Sequence, residues 1–227
     1  TMSFLHVDSV TKYVGKRLLL SDIFLRSKKG EIDIILGRNG SGKTTLLKII
    51  FGIESSTAKF VKVNNKIVKS VGDGRGLVNY LPQENFLPNN INVEKLIKLF
   101  LPRRVAPEVI QNKHIQPLLK KKNRQLSGGE RRIVEVMLIL HSDAGFILLD
   151  EPFNGVGPMV RDQIKDLIIQ MKSKKGIVIS DHDFENILPI ADTIHFLRNG
   201  VLKRIEEKKE LIALGYISEN KFNEIWG

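Results

Sequence analysis

Gly37-Arg38-Asn39-Gly40-Ser41-Gly42-Lys43-Thr44 fits the pattern GxxxxGK[ST], and it stands between an apolar run ending at Leu36 and a helical pattern beginning near Gly42. That context turns a pattern into a site. Glycines let the backbone curl until successive N–H groups point inward at phosphate oxygens, and the positive end of the helix dipole adds to the attraction. Lys43 then neutralises the β and γ phosphates of a nucleotide, and the Thr44 hydroxyl is an oxygen donor of the kind Mg²⁺ prefers. A glycine-rich turn that merely caps a helix is the competing reading, and the ordered match leaves it little room. The residues expected on the nucleotide are Gly37, Asn39, Gly40, Ser41, Gly42, Lys43, Thr44 and Thr45.

A second element completes the site. Phe146-Ile147-Leu148-Leu149-Asp150-Glu151 reads as a buried strand that delivers two carboxylates at its C-terminal end, the edge where open α/β sheets bind ligands. Asp150 is expected to hold the magnesium, directly or through water, and Glu151 to polarise the attacking water near the γ phosphate. Taken alone, such a strand is often only a strand meeting solvent. Beside a phosphate loop it is half of a nucleotide site.

Strand patterns lie at Phe4 to Val7, Leu18 to Leu25 and Glu31 to Leu36, then at Ala58 to Val63 and Lys66 to Lys69 around an Asn64-Asn65 turn, and at Leu77 to Leu81. After Pro82 the character changes to helix-like segments, Val93 to Leu101 and Glu108 to Lys121, punctuated by Pro102, Pro107 and Pro117. From Phe146 an alternation of strand, helix and strand returns, through Val160 to Lys172 and Ile177 to Ser180, as parallel strands with crossover helices require. Thr193 to Leu197 and Val201 to Ile205 flank Asn199-Gly200, a hairpin signal, and Lys208 to Leu214 closes the pattern as a helix. The expected architecture is a single α/β domain over 1–227. Its ATP-binding core takes 1–84 and 143–215, a helical subdomain is inserted at 85–142, and 216–227 form a tail that carries no pattern.

The chain has 227 residues, 42% hydrophobic and 27% charged, ordinary for a globular protein large enough to bury a full core. No stretch approaches the roughly 18 consecutive apolar residues of a membrane helix, and no export signal is apparent, so a cytoplasmic place is expected. Cysteine is absent, which excludes disulfides and thiolate metal sites. The net charge is +11, densest at Lys120, Lys121, Lys122, Arg124, Arg131 and Arg132. No aromatic residues interleave that cluster as a single-strand stacking platform needs, so it reads as a solvated face.

Leu126-Ser127-Gly128-Gly129-Glu130, shortly before Asp150, narrows the family. It resembles the signature motif of ABC ATPases, and the fold implied is a P-loop NTPase of ABC ATPase type, a mixed central sheet with an antiparallel β-subdomain and a short inserted helical subdomain. Alone, Ser127 reads as a helix cap. The resemblance implies instead that Ser127, Gly128 and Gly129 meet the γ phosphate bound by a partner subunit, so that two ATP molecules are sandwiched in a head-to-tail dimer, most simply a homodimer. It also implies an integral membrane permease as partner and a peripheral position on the cytoplasmic face of the membrane.

Further positions match the family residue by residue. Gln83 in Tyr80-Leu81-Pro82-Gln83 is similar to the glutamine that senses magnesium and the attacking water. His182 in Ser180-Asp181-His182-Asp183 is similar to the switch histidine on the γ phosphate, and Tyr13 to the aromatic residue that stacks on adenine. Fragments around the signature and Asp150 resemble the ATPases of lipopolysaccharide export and branched-chain amino acid import. Two departures stand out. Gly157 replaces the aspartate usual in the interface loop, and the segment between Gln83 and Leu126 is shorter than usual. The rival readings are a soluble ABC ATPase acting on nucleic acid or ribosomes and a non-hydrolysing regulatory subunit. Residues 85–125 are too short and proline-rich for the long coiled coil of DNA-repair relatives, and no specific nucleic acid is expected.

Overall fold

The structure is a computed structural model that describes residues 3–226. Thr1, Met2 and Gly227, the ends of the expected domain, lie outside the described residues. Strands β1 (Phe4–Val14), β2 (Arg17–Lys28) and β3 (Ile32–Leu36) lead into α1 (Lys43–Phe51), β4 (Ala58–Val63), β5 (Lys66–Ile67), the single turn α2 (Val71–Gly74) and β6 (Val78–Leu81). Helices α3 (Val93–Phe100), α4 (Ala106–Ile110) and α5 (Gly128–Leu140) follow, then β7 (Phe146–Asp150), α6 (Pro158–Lys172), β8 (Gly176–Asp181) and α7 (Phe184–Ile187). The hairpin β9 (Thr193–Arg198) and β10 (Val201–Ile205) precedes α8 (Glu210–Ala213) and α9 (Glu219–Trp226).

The main sheet has the order β10-β9-β3-β8-β7-β6, parallel from β9 to β6 with β10 antiparallel at one edge. Strands β3, β7 and β8 are buried along their whole length, which is why they read as apolar runs rather than as alternation. Their C-terminal ends lie side by side, with Leu36 opposite Asp181 and Asp150 opposite Ser180. The phosphate loop, the two carboxylates and the segment after Ser180 therefore share one sheet edge.

A second, antiparallel sheet has the order β2-β1-β4-β5. Its apolar face, including Leu5, Val7, Ile23, Leu25 and Val61, shares one core with Leu46, Leu47, Ile49 and Ile50 of α1 and with Ile35, Leu148 and Val178 of the main sheet. This core seats the phosphate-loop helix. Both asparagine turns form as expected, Asn64 and Asn199 each adopting φ 53° where the hairpins close.

The segment expected as one helix over Glu108 to Lys121 is broken. Helix α4 ends at Ile110, Asn112 Oδ1 accepts from the His114 N–H at 2.9 Å, and only a short 3-10 turn over Gln116–Leu118 follows. Pro117 has no N–H to give and disfavours helix at the residue before it. The closing helix contracts to Glu210–Ala213, whereas the tail forms α9. At the N-terminus the first strand runs on to Val14.

Candidate nucleotide site

The phosphate loop owes its shape to glycine. Gly40 and Gly42 adopt φ 76° and 106°, and a Cβ on Gly37 would lie 2.6 Å from the Leu197 carbonyl oxygen. Lys43, 5% exposed, curls back to donate to the Gly37 carbonyl at 2.7 Å and the Arg38 carbonyl at 3.3 Å. Burial pushes its ammonium pKa down, while Glu151, Asp181 and Asp150 oppose the shift. A pocket of about 380 Å³ is lined by Asn39, Gly40, Gly42, Lys43, Thr44, Thr45, Gln83 and Glu151, with Leu19 on its wall.

Asp150 is fully buried and accepts three hydroxyls: Ser180 Oγ at 2.6 Å and Thr44 Oγ1 at 3.0 Å on Oδ1, and Tyr80 Oη at 2.8 Å on Oδ2. The Tyr80 phenol is pushed up, first by burial and then by Asp150. Hard oxygen donors from a hydroxyl and a carboxylate, 3.0 Å apart at the mouth of a phosphate pocket, are the donor set that fits Mg²⁺. Thr44 and Asp150 would hold it, and Gln83 also lines the pocket.

Glu151 has the left-handed φ of 44°, a conformation a glutamate rarely adopts. Its N–H donates to the Ser180 carbonyl at 2.9 Å. Its carboxylate is held from both sides, by Gln83 Nε2 on Oε2 at 2.9 Å and by His182 Nδ1 at 3.2 Å from Oε1. Asp181, next along, is pushed up to about 6 by burial, although Oδ1 accepts the backbone N–H groups of Asp183 and His182. The Tyr216 hydroxyl donates to the His182 carbonyl at 3.2 Å, and its ring packs on Phe184 and Phe196.

The structure gathers Lys43, Thr44, Asp150, Glu151, Gln83 and His182, and leaves two groups apart. Tyr13 stands half exposed on β1 opposite Leu18, and does not line the phosphate pocket. Ser127, Gly128 and Gly129 begin α5 elsewhere. There the Ser127 Oγ accepts from the Glu130 N–H at 3.2 Å, and Glu130 Oε2 accepts from the Ser127 N–H at 2.8 Å, a complete capping box. Ser127 and Gly128 are exposed, and a Cβ on Gly129 would meet Val160 at 3.0 Å.

Sequence reasoning missed Tyr80 and Ser180, which hold Asp150, and it misplaced Arg132. Far from lying on a solvated basic face, Arg132 is 5% exposed and bonds inward to carbonyl oxygens and Glu135. The carbonyls it satisfies come from strand ends distant in sequence, so no local pattern announces them. Lys121 of the same cluster is paired with Glu130 at 2.8 Å.

Comparison with known proteins bears on the family and the fold. The sequence profile of the ABC transporter family matches residues 20–154. The lipopolysaccharide export system ATP-binding protein LptB of Escherichia coli K12 is 31% identical over 215 residues, covering 88% of this chain and 89% of that protein. LptB of Haemophilus influenzae is 29% identical, covering 88% of each. A solved ATP-binding cassette of an ABC transporter superposes with a TM-score of 0.81 at 25% identity over the full length of both chains. The chain belongs to the ATP-binding family of ABC transporters, and its chemistry is the hydrolysis of ATP.

Proposed function

We propose that two copies of this chain close head-to-tail around two ATP molecules and that the cycle of closing and opening drives a separate membrane permease. The observation that carries this reading is the separation of the two anion-facing elements. The phosphate pocket is lined by one set of residues, whereas the exposed, glycine-rich start of α5 is turned out of it, so a triphosphate in the pocket is gripped from one side only. A second copy supplies the other side. Among the described residues no helix is long and apolar enough to cross a membrane. A groove of about 680 Å³ between the core and the helical insertion, walled by Phe51, Val71, Phe100 and Leu101, offers an apolar seat for the permease.

In this mechanism Lys43 and the loop N–H groups hold the phosphates, while Thr44 and Asp150, steadied by Ser180 and Tyr80, offer oxygens to Mg²⁺. When bound, the cation would neutralise phosphate charge. Gln83 and His182 fix the two oxygens of Glu151, so the carboxylate faces the pocket ready to orient a water in line with the γ phosphorus. Ser127 and Gly129 of the second copy stabilise the transferring group from the far side. Release of phosphate removes the shared ligand, and the copies part.

Glu151→Gln keeps the pocket and removes the charge that orients water. The variant should bind ATP, stop turning over, and accumulate as a dimer by light scattering only when ATP and Mg²⁺ are present. A variant that remains monomeric at saturating ATP would sink the head-to-tail reading, and wild-type turnover would remove Glu151 from its role. Affinity capture of the chain from detergent-solubilised membranes should bring down a multispanning protein at fixed stoichiometry. Recovery of ribosomes or a defined nucleic acid instead would favour the non-transport reading.

A further inference from the structure

Arg132 lies on the inward side of α5 with no nitrogen left to solvent chemistry. Its Nε donates to the Pro152 carbonyl at 3.1 Å, Nη1 to the Pro82 carbonyl at 2.9 Å, and Nη2 to the carbonyls of Asp150 and Glu151 at 3.1 and 3.0 Å. Nη1 also reaches Glu135 Oε2 at 3.3 Å. Glu135 is fully buried, and its other oxygen accepts from the Phe86 N–H at 3.3 Å. One side chain of the signature helix thus grips both backbone stretches that carry catalytic groups, Pro82-Gln83 on one side and Asp150-Glu151-Pro152 on the other.

Burial of this pair is poorly explained as packing. Taking a guanidinium and a carboxylate out of water is expensive, and apolar residues of equal volume commonly serve stability as well or better. What apolar residues cannot do is define the direction of four carbonyls. One of the four belongs to Glu151, whose left-handed backbone persists only where its surroundings over-determine it. Besides a local bond from the Asn154 N–H to its carbonyl at 3.2 Å, its N–H is tied to Ser180 within the sheet, and its carbonyl is tied to Arg132. The second tie leads out of the core and into α5, whose first turn carries Ser127.

We propose that Arg132 is a positioning residue for hydrolysis: it locks the Glu151 backbone in its productive conformation and joins it through one rigid helix to Ser127, so that a phosphate engaged at Ser127 is registered at Glu151. The locking of Glu151 stands on the contacts above. The registration between sites rests on the head-to-tail reading.

Two variants test it. Arg132→Lys keeps the charge but replaces a planar fork with a point donor, and the double variant Arg132→Met, Glu135→Met removes both buried charges together. Each is compared with the wild type for ATP affinity by calorimetry, kcat, the Hill coefficient for ATP, and melting temperature. In both, affinity should stay within about twofold while kcat falls on the order of 10²-fold, the penalty for a catalytic group displaced by about an ångström. The Hill coefficient should fall to one. Wild-type kcat in the folded double variant would overturn the proposal, as would a parallel decline of affinity, kcat and folded fraction in both variants, which marks a scaffold residue. A low kcat with an unchanged Hill coefficient would overturn the registration between sites. Failure of the head-to-tail reading is read separately, from the Glu151→Gln chain with Arg132 intact.

Discussion

The phenol of Tyr80 donates a 2.8 Å hydrogen bond to Oδ2 of Asp150, joining the end of β6 to the end of β7 inside the core. With Ser180 and Thr44 on Oδ1, it accounts for the burial of a carboxylate that forms no salt bridge among the described residues. Tyr80→Phe leaves the ring in place and strips one donor from that charge. The expected loss is about 2 kcal/mol, or about 4–8 °C in melting temperature for a chain of this size. An unchanged thermal transition would show that Ser180 and Thr44 suffice.

Lys43 occupies its own loop, bonded to the Gly37 and Arg38 carbonyls. Phosphate oxygens are better partners for an ammonium than neutral carbonyls, so the side chain is poised to exchange them. Lys43→Ala should weaken ATP binding on the order of tenfold to a hundredfold in calorimetry. Unchanged affinity contradicts the phosphate assignment.

The Asp181 carboxyl, ordinarily near 3.8, is raised to about 6 in the fold, so from about pH 4 to about pH 6 the folded chain binds more protons than the unfolded one. Its contribution to stability is therefore greatest in acid and is lost as pH rises through 6. Asp181→Asn keeps an acceptor for the two N–H groups and cannot ionise. The variant should gain on the order of 2 kcal/mol over the wild type at pH 7.5 and much less at pH 4.5, measured by urea unfolding. Identical pH dependence in the two proteins would refute this account.

Gly157 caps α6 with φ −72° and ψ 166°, and a Cβ there would meet nothing within 4 Å. Asp is a slightly better cap than Gly, so Gly157→Asp should hold or raise stability by a few tenths of a kcal/mol. In the Glu151→Gln background it should also tighten the ATP-dependent dimer, seen as a lower midpoint concentration in sedimentation. Looser association would mean that the glycine is needed for closure.

Tyr216 sits in the segment that showed no pattern in the sequence, yet it pins the His182 carbonyl. Burial pushes its phenol up to about 12, so it stays a neutral donor at any working pH. Tyr216→Phe retains the ring contacts with Phe184 and Phe196 and should lower kcat about fivefold at constant ATP affinity, the worth of one ordinary hydrogen bond. Full activity in this variant would show that the switch segment holds itself.

What could be read from the chain beforehand follows a physical line. The phosphate loop and Asp150-Glu151 are local: each is a strand end and a few adjacent residues, and the backbone conformation they need is written in glycines and apolar runs. Ser127 with Glu130 is local too, a capping box within one turn. Arg132, Tyr80 and Ser180 are different, because each acts on a group that only the folded sheet brings near. Arg132 sits among lysines and arginines in sequence, and charge density suggested water where the fold supplied carbonyls. The helix expected over Glu108 to Lys121 failed because apolar spacing was weighed above Pro117, which the backbone cannot overlook.

Glu151 pays for its position, since a left-handed glutamate is strained by about 1–3 kcal/mol and glycine would occupy the same backbone without that penalty. Any search for hardier versions of this chain, blind to turnover, should therefore find Glu151→Gly among its gains and produce an inert protein that outlasts the working one. Durability and speed are set against each other at a single peptide, and only a screen that reads both will keep the glutamate.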